Sequence, residues 1–245
     1  MQISSQSPIG SVVAANYNTA SIFKQAGIDY CCNGQQSIEE ACRALSLDTD
    51  WLLSQLNEVL EAGRSTAPAT DYASWPPDLL ADYIEKMHHR YVRAQIPTIL
   101  PLLEKINLVH GPRHPELSTI KALFETVAAE LLQHLSKEEQ ILFPYIRKLV
   151  YRQTNRTEDP GRSQAFVQHP VRVMMQEHDE AGELFRRINT LSNNYTVPGD
   201  ACNSYKAAFK ALEDFEQDLH LHIHLENNIL FPAAIQLERQ QTTLA

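Results

Sequence analysis

Cysteine is sparse in this sequence. The four residues, Cys31, Cys32, Cys42 and Cys202, contain no CxxC pair. That excludes a disulfide-stapled scaffold and a zinc site made of cysteine alone. Only 8 glycines and 13 prolines punctuate 245 residues, which excludes collagen-like and low-complexity chains. Positive charge is in deficit, with 21 Lys and Arg against 30 Asp and Glu and a net charge of −9. A chain of that sign gains nothing from phosphate backbones or anionic lipid, so no nucleic-acid partner is expected. No apolar run approaches the roughly 18 residues of a membrane span. The opening residues, MQISSQSPIGSVV, lack the basic and apolar segments of a secretory leader. The expectation is a cytoplasmic protein with no membrane role. Apolar residues are not lacking: they make up 43% of the chain, beside 21% charged residues, which is enough for a packed core.

The first 64 residues read as a small helical domain. Asn18 is placed to cap a helix that ends at Gly27. The loop IDYCCNG follows, and Ser37-x-x-Glu40 forms a capping box for the next helix. Asp48 then caps a helix carrying Trp51, Leu52, Leu56 and Val59, with Gly63 at its end. Residues 65–77, STAPATDYASWPP, carry three prolines and no helical period, and read as a linker. From 78 to 245 the pattern is helical throughout. Helix A carries Leu80, Ile84, Met87 and Tyr91, with Pro97 and Pro101 expected to kink or interrupt it. Helix B is expected from Pro115 to Tyr151, then a polar loop TNRTEDPGR, helix C from Ser163 to Leu191, and helix D from Pro198 to Leu237. The fold class is therefore all-α, a small N-terminal helical domain followed by an antiparallel four-helix bundle.

The chemistry lies in an internal repeat. HLSKEEQILFP at 134–144 and HIHLENNILFP at 222–232 align His134 with His222, Glu138 with Glu226, and Phe143-Pro144 with Phe231-Pro232. His and Glu four residues apart project from one helix face, about 40° apart around the axis and about 6 Å along it. Both pairs sit on the apolar stripe of their helix, with Val127, Leu131, Ile141 and Tyr145 in helix B and Phe215, Leu219 and Ile229 in helix D. Of the three histidines in helix D, only His222 stands four before Glu226; His220 and His224 miss that face and are assigned to solvent or to a supporting role. Helices A and C each add one inward histidine, His88 beside Ile84 and Tyr91, and His178 beside Met174, Ala181 and Phe185. His89 groups with Asp82, Glu85, Lys86 and Arg93 on a wet face. Four imidazoles and two carboxylates thus converge on an apolar stripe that offers no Lys or Arg. Buried carboxylates need a cation, and a two-metal centre bridged by both Glu and capped by the His supplies it. Nitrogen and oxygen ligation favours iron, with manganese less favoured and zinc less still.

At this point the residues resemble a known family. The bundle resembles the hemerythrin-like di-iron domain, and the whole chain resembles the Repair of Iron Centres family. The markers are DYCCNG at 29–34, HHRY at 88–91, KEEQILFP at 137–144, EHDEAGELF at 177–185 and LENNILFP at 225–232. The resemblance implies His88, His134, Glu138, His178, His222 and Glu226 as ligands of two iron ions per chain, bridged by carboxylates and by an oxo or hydroxo group. It implies a homodimeric cytoplasmic stress protein that restores iron–sulfur clusters damaged by nitric oxide or oxidation. Damaged cluster proteins would be its clients, and nitric oxide or dioxygen its small ligands. Labile iron donation, nitric oxide reduction at the iron site and a sensor or carrier role are three ways such a centre could act. Glu177, beside His178, is a candidate supporting or access-path carboxylate, or a solvated helix residue. Cys31 and Cys32 are candidate redox thiols that contact the iron centre or exchange with a client, or else pack the small domain; Cys42 and Cys202 read as ordinary buried or half-buried thiols.

Overall fold

A computed structural model of the chain describes residues 3–62, 70–155 and 166–243. Gly63, the start of the expected linker, most of the expected loop after helix B and the expected start of helix C at Ser163 lie outside the described residues. The described residues form two compact units. One draws on Met1–Leu80, Leu149–Ala165 and Ile223–Ala245, the other on Ala81–Lys148 and Phe166–His222. The division therefore assigns the start of one long helix and the ends of two others to the N-terminal unit. No helix among the described residues is long and apolar enough to cross a membrane.

The first unit begins with α1 (Ile9–Ala15), a 3-10 turn at Tyr17–Thr19, α2 (Ala20–Gln25), α3 (Ile38–Leu45) and α4 (Thr49–Ala62). Asn16, not Asn18, supplies the first cap, accepting from the Asn18 N–H at 3.0 Å, because the 3-10 turn intervenes before α2. Gly27 follows α2 with φ +71°, a conformation that suits glycine. The Ser37–Glu40 capping box forms in both directions, a device worth about 1 kcal/mol. Asp48 Oδ1 accepts from the N–H groups of Asp50 and Trp51 at 2.9 and 3.2 Å. Ile9, Val13, Phe23, Ile38, Leu52 and Leu56 are fully buried. Each such side chain contributes about 1.5–3 kcal/mol by leaving water. The same unit contains the last part of the chain, where α11 (Phe231–Thr243) follows a π-turn at Glu226–Leu230.

The second unit is the bundle. Its first helix runs through α5 (Pro77–Ile84), a π-turn at Glu85–His89 and α6 (Arg90–His110). Its second runs through α7 (Glu116–Lys137), a π-turn at Glu138–Leu142 and α8 (Phe143–Asn155). The third and fourth are α9 (Gln168–Leu191) and α10 (Asn203–Leu225). Pro97 and Pro101 lie inside an unbroken α6, so of the expected kink or interruption the interruption does not occur. Ile96, Ile99, Leu103 and Ile106 are buried along that stretch, and their packing outweighs the hydrogen bonds the prolines forgo. Phe124, Phe185 and Phe215 meet between α7, α9 and α10, with ring centroids 5.4–6.4 Å apart.

The three π-turns are the main departure from regular helix. Each inserts one extra residue into its turn, so the faces that follow slip by one position. Met87 is 55% exposed and Ile141 is 52% exposed, although both were expected on the buried stripe. Leu142 is buried in place of Ile141, and Leu230 is more deeply buried than Ile229. In two of the turns the chemistry of the sequence explains the insertion. The Phe143 N–H bonds to the Glu138 carbonyl five residues back, just before Pro144, and the Phe231 N–H bonds to the Glu226 carbonyl just before Pro232. Proline offers no N–H and its ring crowds the carbonyl four residues back, so a widened turn accommodates it.

Candidate metal centre

Two histidines of the bundle, His134 and His89, are held from outside by carboxylates. On α7, His134 is buried, and its Nδ1 lies 2.9 Å from Glu177 Oε2 on α9. Glu177 can only accept, so Nδ1 carries a proton, and in the neutral ring the Nε2 lone pair faces inward. The hydrogen bond from His134, with help from Lys137, holds the Glu177 carboxyl down to about 2. In the first helix, His89 Nδ1 lies 2.8 Å from Glu139 Oε1, and Arg93 binds the same carboxylate through both guanidinium nitrogens at 2.6 and 3.0 Å. Burial pushes Glu139 up, but Arg93 and His89 outweigh it and leave it lowered.

Between these imidazoles lies Glu138, which is fully buried. Its Oε2 is 3.3 Å from His89 Nε2 and 3.4 Å from His134 Nε2. His178 Nε2 is 3.0 Å from His134 Nε2. His89, Glu138 and His222 offer donor atoms within 4.8 Å of one another, and so do His134, Glu138 and His178. Glu138 belongs to both groups. Two imidazole lone pairs aimed at a buried carboxylate repel it unless a cation lies between them. The donor set is imidazole and carboxylate without thiolate, which fits a borderline divalent cation. Glu226 is fully buried one turn beyond His222, the relation that Glu138 bears to His134.

His89 takes the place among the donors that was expected of His88. Both are buried, but His89 stands with Glu138 and His222, while His88 is absent from both donor groups. His88 Nδ1 bonds Asp218 Oδ1 at 2.9 Å, and its ring stacks on His222 at 5.6 Å. The cause is the π-turn at Glu85–His89, which rotates the last residue of the turn inward where uniform helical counting turns it to solvent. The His89 ring also stacks on Phe143 at 5.4 Å, which secures it in that position. His224, expected at solvent or in support, is buried. It packs against Tyr17 and Tyr30 at 6.0 and 5.9 Å, accepts from Asn228 at 3.1 Å, and burial pulls its imidazole down to about 4.

The remaining candidates divide. Cys31 and Cys32 lie together in the loop between α2 and α3, with their sulfurs 3.8 Å apart. Cys42 is fully buried. Cys202 is exposed rather than half-buried, just before α10, with His110 Nε2 3.3 Å from its sulfur. That hydrogen bond and the N–H groups of Tyr205 and Ser204 bring its thiol down to about 7. Sequence reasoning missed His89, Glu139 and Asp218. Glu139 carried a signal only in following Glu138 directly; Asp218 carried none.

Two family models match the chain. The hemerythrin HHE cation binding domain matches residues 80–234. A domain of unknown function, DUF542, matches residues 5–60. A probable iron-sulfur cluster repair protein of Haemophilus influenzae is 37% identical over 214 residues, covering 87% of this chain and 90% of that protein. The iron-sulfur cluster repair protein YtfE of Yersinia pseudotuberculosis is 33% identical over 230 residues, covering 94% of this chain and 97% of that one. The YtfE protein of Yersinia pestis strain Pestoides F matches at the same identity and coverage.

Proposed function

The chain belongs to the hemerythrin HHE family and, with its DUF542 segment, to the iron–sulfur cluster repair proteins; on that premise we propose that it restores damaged clusters by donating iron held in its bundle. One ion would be held by His89, Glu138 and His222, the other by His134, Glu138 and His178. Glu226 would serve as the second shared carboxylate, by its register with Glu138. The observation that carries this reading is Glu138, common to two groups of imidazole donors, in each of which one histidine, His89 or His134, has its outer nitrogen held by a carboxylate.

Iron bound there supplies a releasable ferrous ion, since ferrous iron stands low in the affinity order and the site offers it no thiolate. The chain's own groups do the rest. Glu139 and Glu177 hold the protons of His89 and His134 on Nδ1, keeping Nε2 directed at the centre. Arg93 and Lys137 hold those two carboxylates in turn. His88, braced by Asp218, supports the ring of His222. In this reading the partners are cluster proteins damaged by nitric oxide or peroxide, the setting is the cytoplasm, and the working form is a homodimer.

The test starts with anaerobically purified protein. Two irons per chain are expected, and both are expected to be lost in Glu138→Ala and depleted in Glu226→Ala. Mixed with a dehydratase whose four-iron cluster nitric oxide has damaged, the wild type should restore its activity while losing iron. Many turnovers of nitric oxide to nitrous oxide per site, with iron retained and no repair, would replace donation with nitric oxide reduction. Purified protein without bound metal would overturn both readings.

A further inference from the structure

A second cluster of ligand atoms lies in the first unit. Asp29, Cys31 and Cys32 offer a carboxylate oxygen and two sulfurs, all within 4.8 Å of one another. Asp29 organises the loop. Its Oδ1 accepts from the N–H groups of Cys31 and Cys32 at 3.1 and 3.0 Å and from the Cys31 thiol at 3.2 Å. Its Oδ2 accepts from the Asn33 amide at 3.1 Å. The loop is also gripped from the C-terminal part of the same unit. Asn227 donates to the Cys31 carbonyl at 3.2 Å, and Asn228 donates to the Tyr30 and Cys31 carbonyls at 3.3 and 3.2 Å. A Cβ on Gly10 or Gly34 would lie 2.2 Å from Asn228 Oδ1, so both must be glycine for this amide to enter.

The spacing of the two sulfurs suits a metal better than a disulfide. Neighbouring Cα atoms stand about 3.8 Å apart, inside the roughly 4.4 Å lower limit for a relaxed disulfide. An ion about 2.3 Å from each sulfur, the usual metal–thiolate distance, would subtend an angle of about 111° across the 3.8 Å separation, close to tetrahedral. The hydrogen bond with Cys32, and then burial, push the Cys31 thiol well up, so without a metal it keeps its proton.

We propose that Asp29, Cys31 and Cys32 form a second metal site, with two sulfurs and one oxygen for a single thiophilic divalent cation and one position left to an outside ligand. Binding forms two metal–sulfur bonds and one metal–oxygen bond. The two thiol protons pass to solvent, and nothing is oxidised or reduced. Ferrous iron is the cation at hand if the preceding reading holds. Only that identification rests on it, since the donor atoms alone define the site.

Cobalt(II) is the probe, added without oxygen to the iron-loaded full-length protein and followed by difference spectra. One equivalent should produce a thiolate-to-cobalt charge-transfer band and the visible bands of tetrahedral cobalt. Cys202→Ser should leave them unchanged, whereas Cys31→Ser with Cys32→Ser should abolish them. Asp29→Asn still accepts the two backbone N–H groups that fold the loop, although it gives up the bond from Asn33, and it should weaken binding at least tenfold. Absence of the bands in the wild type, their survival in the double serine variant, or wild-type affinity in Asp29→Asn would each overturn the site. Iron content, measured in parallel, tests the preceding reading alone.

Discussion

The two histidine-bearing partner helices were read from one rule, and the structure treats them differently. In α9, His178 lies where uniform helical counting puts it, with Met174, Ala181 and Phe185 buried on the same face. In the first helix the same counting selected His88, and the structure brings His89 to Glu138 instead. The difference is one inserted residue. Helix α9 is regular from Gln168 to Leu191, whereas a π-turn at Glu85–His89 separates α5 from α6. Periodicity is a reliable guide to a face only while the hydrogen-bond ladder stays regular; each widened turn resets it.

The widest break in the comparison would come from the residue both halves share. Glu138→Ala should empty both positions, with affinity falling about 100-fold or more, beyond the 10–100-fold typical of outer partners. Iron analysis after dialysis would show it, and retention of one iron per chain would mean that the halves do not share this carboxylate. The exchange of histidines gives the next largest effect. His89→Ala should lose iron, while His88→Ala should keep its stoichiometry and lose affinity by about tenfold at most. The reverse order in the same titration would restore uniform counting. A smaller, symmetric effect is expected of the outer carboxylates. Glu139→Gln and Glu177→Gln should each weaken iron binding by about 10-fold, since each fixes one imidazole and is itself held by a cation. An effect confined to one of them would show that the halves are braced unequally.

The smallest effect lies at the far end of α10, where the second half carries a thiol and the corresponding start of α7 has Pro115 and Glu116. The Cys202 thiol stands at about 7, so its alkylation rate should reach half its maximum near that pH, while Cys31 stays unreactive there. His110→Gln removes the imidazole behind the largest part of that lowering, and the half-maximum should move up toward 9. Mass spectrometry of labelled peptides across a pH series would check both.

Much of the donor cluster was legible beforehand. His134, Glu138, His178 and His222 could be chosen from spacing and phase because α7, α9 and α10 are regular up to those residues. The capping box at Ser37 and the Asp48 cap were legible because both act within a few residues of chain. Pro144 and Pro232 carried the signal for two of the widened turns, although Ile141 and Ile229 were still counted on the stripe. The turn before Arg90 has no proline behind it, and nothing nearby in the chain announces it. Asn227 and Asn228 likewise look like polar helix residues until the loop they hold is in place.

Local chain chemistry alone determined the helices, the faces of their regular stretches and the repeated His-x-x-x-Glu pair. Only packing decided which of two adjacent histidines turns inward. His89 is secured by Glu139 and Phe143, residues some fifty positions away. A one-residue slip in a helix costs little locally, so distant contacts settle it.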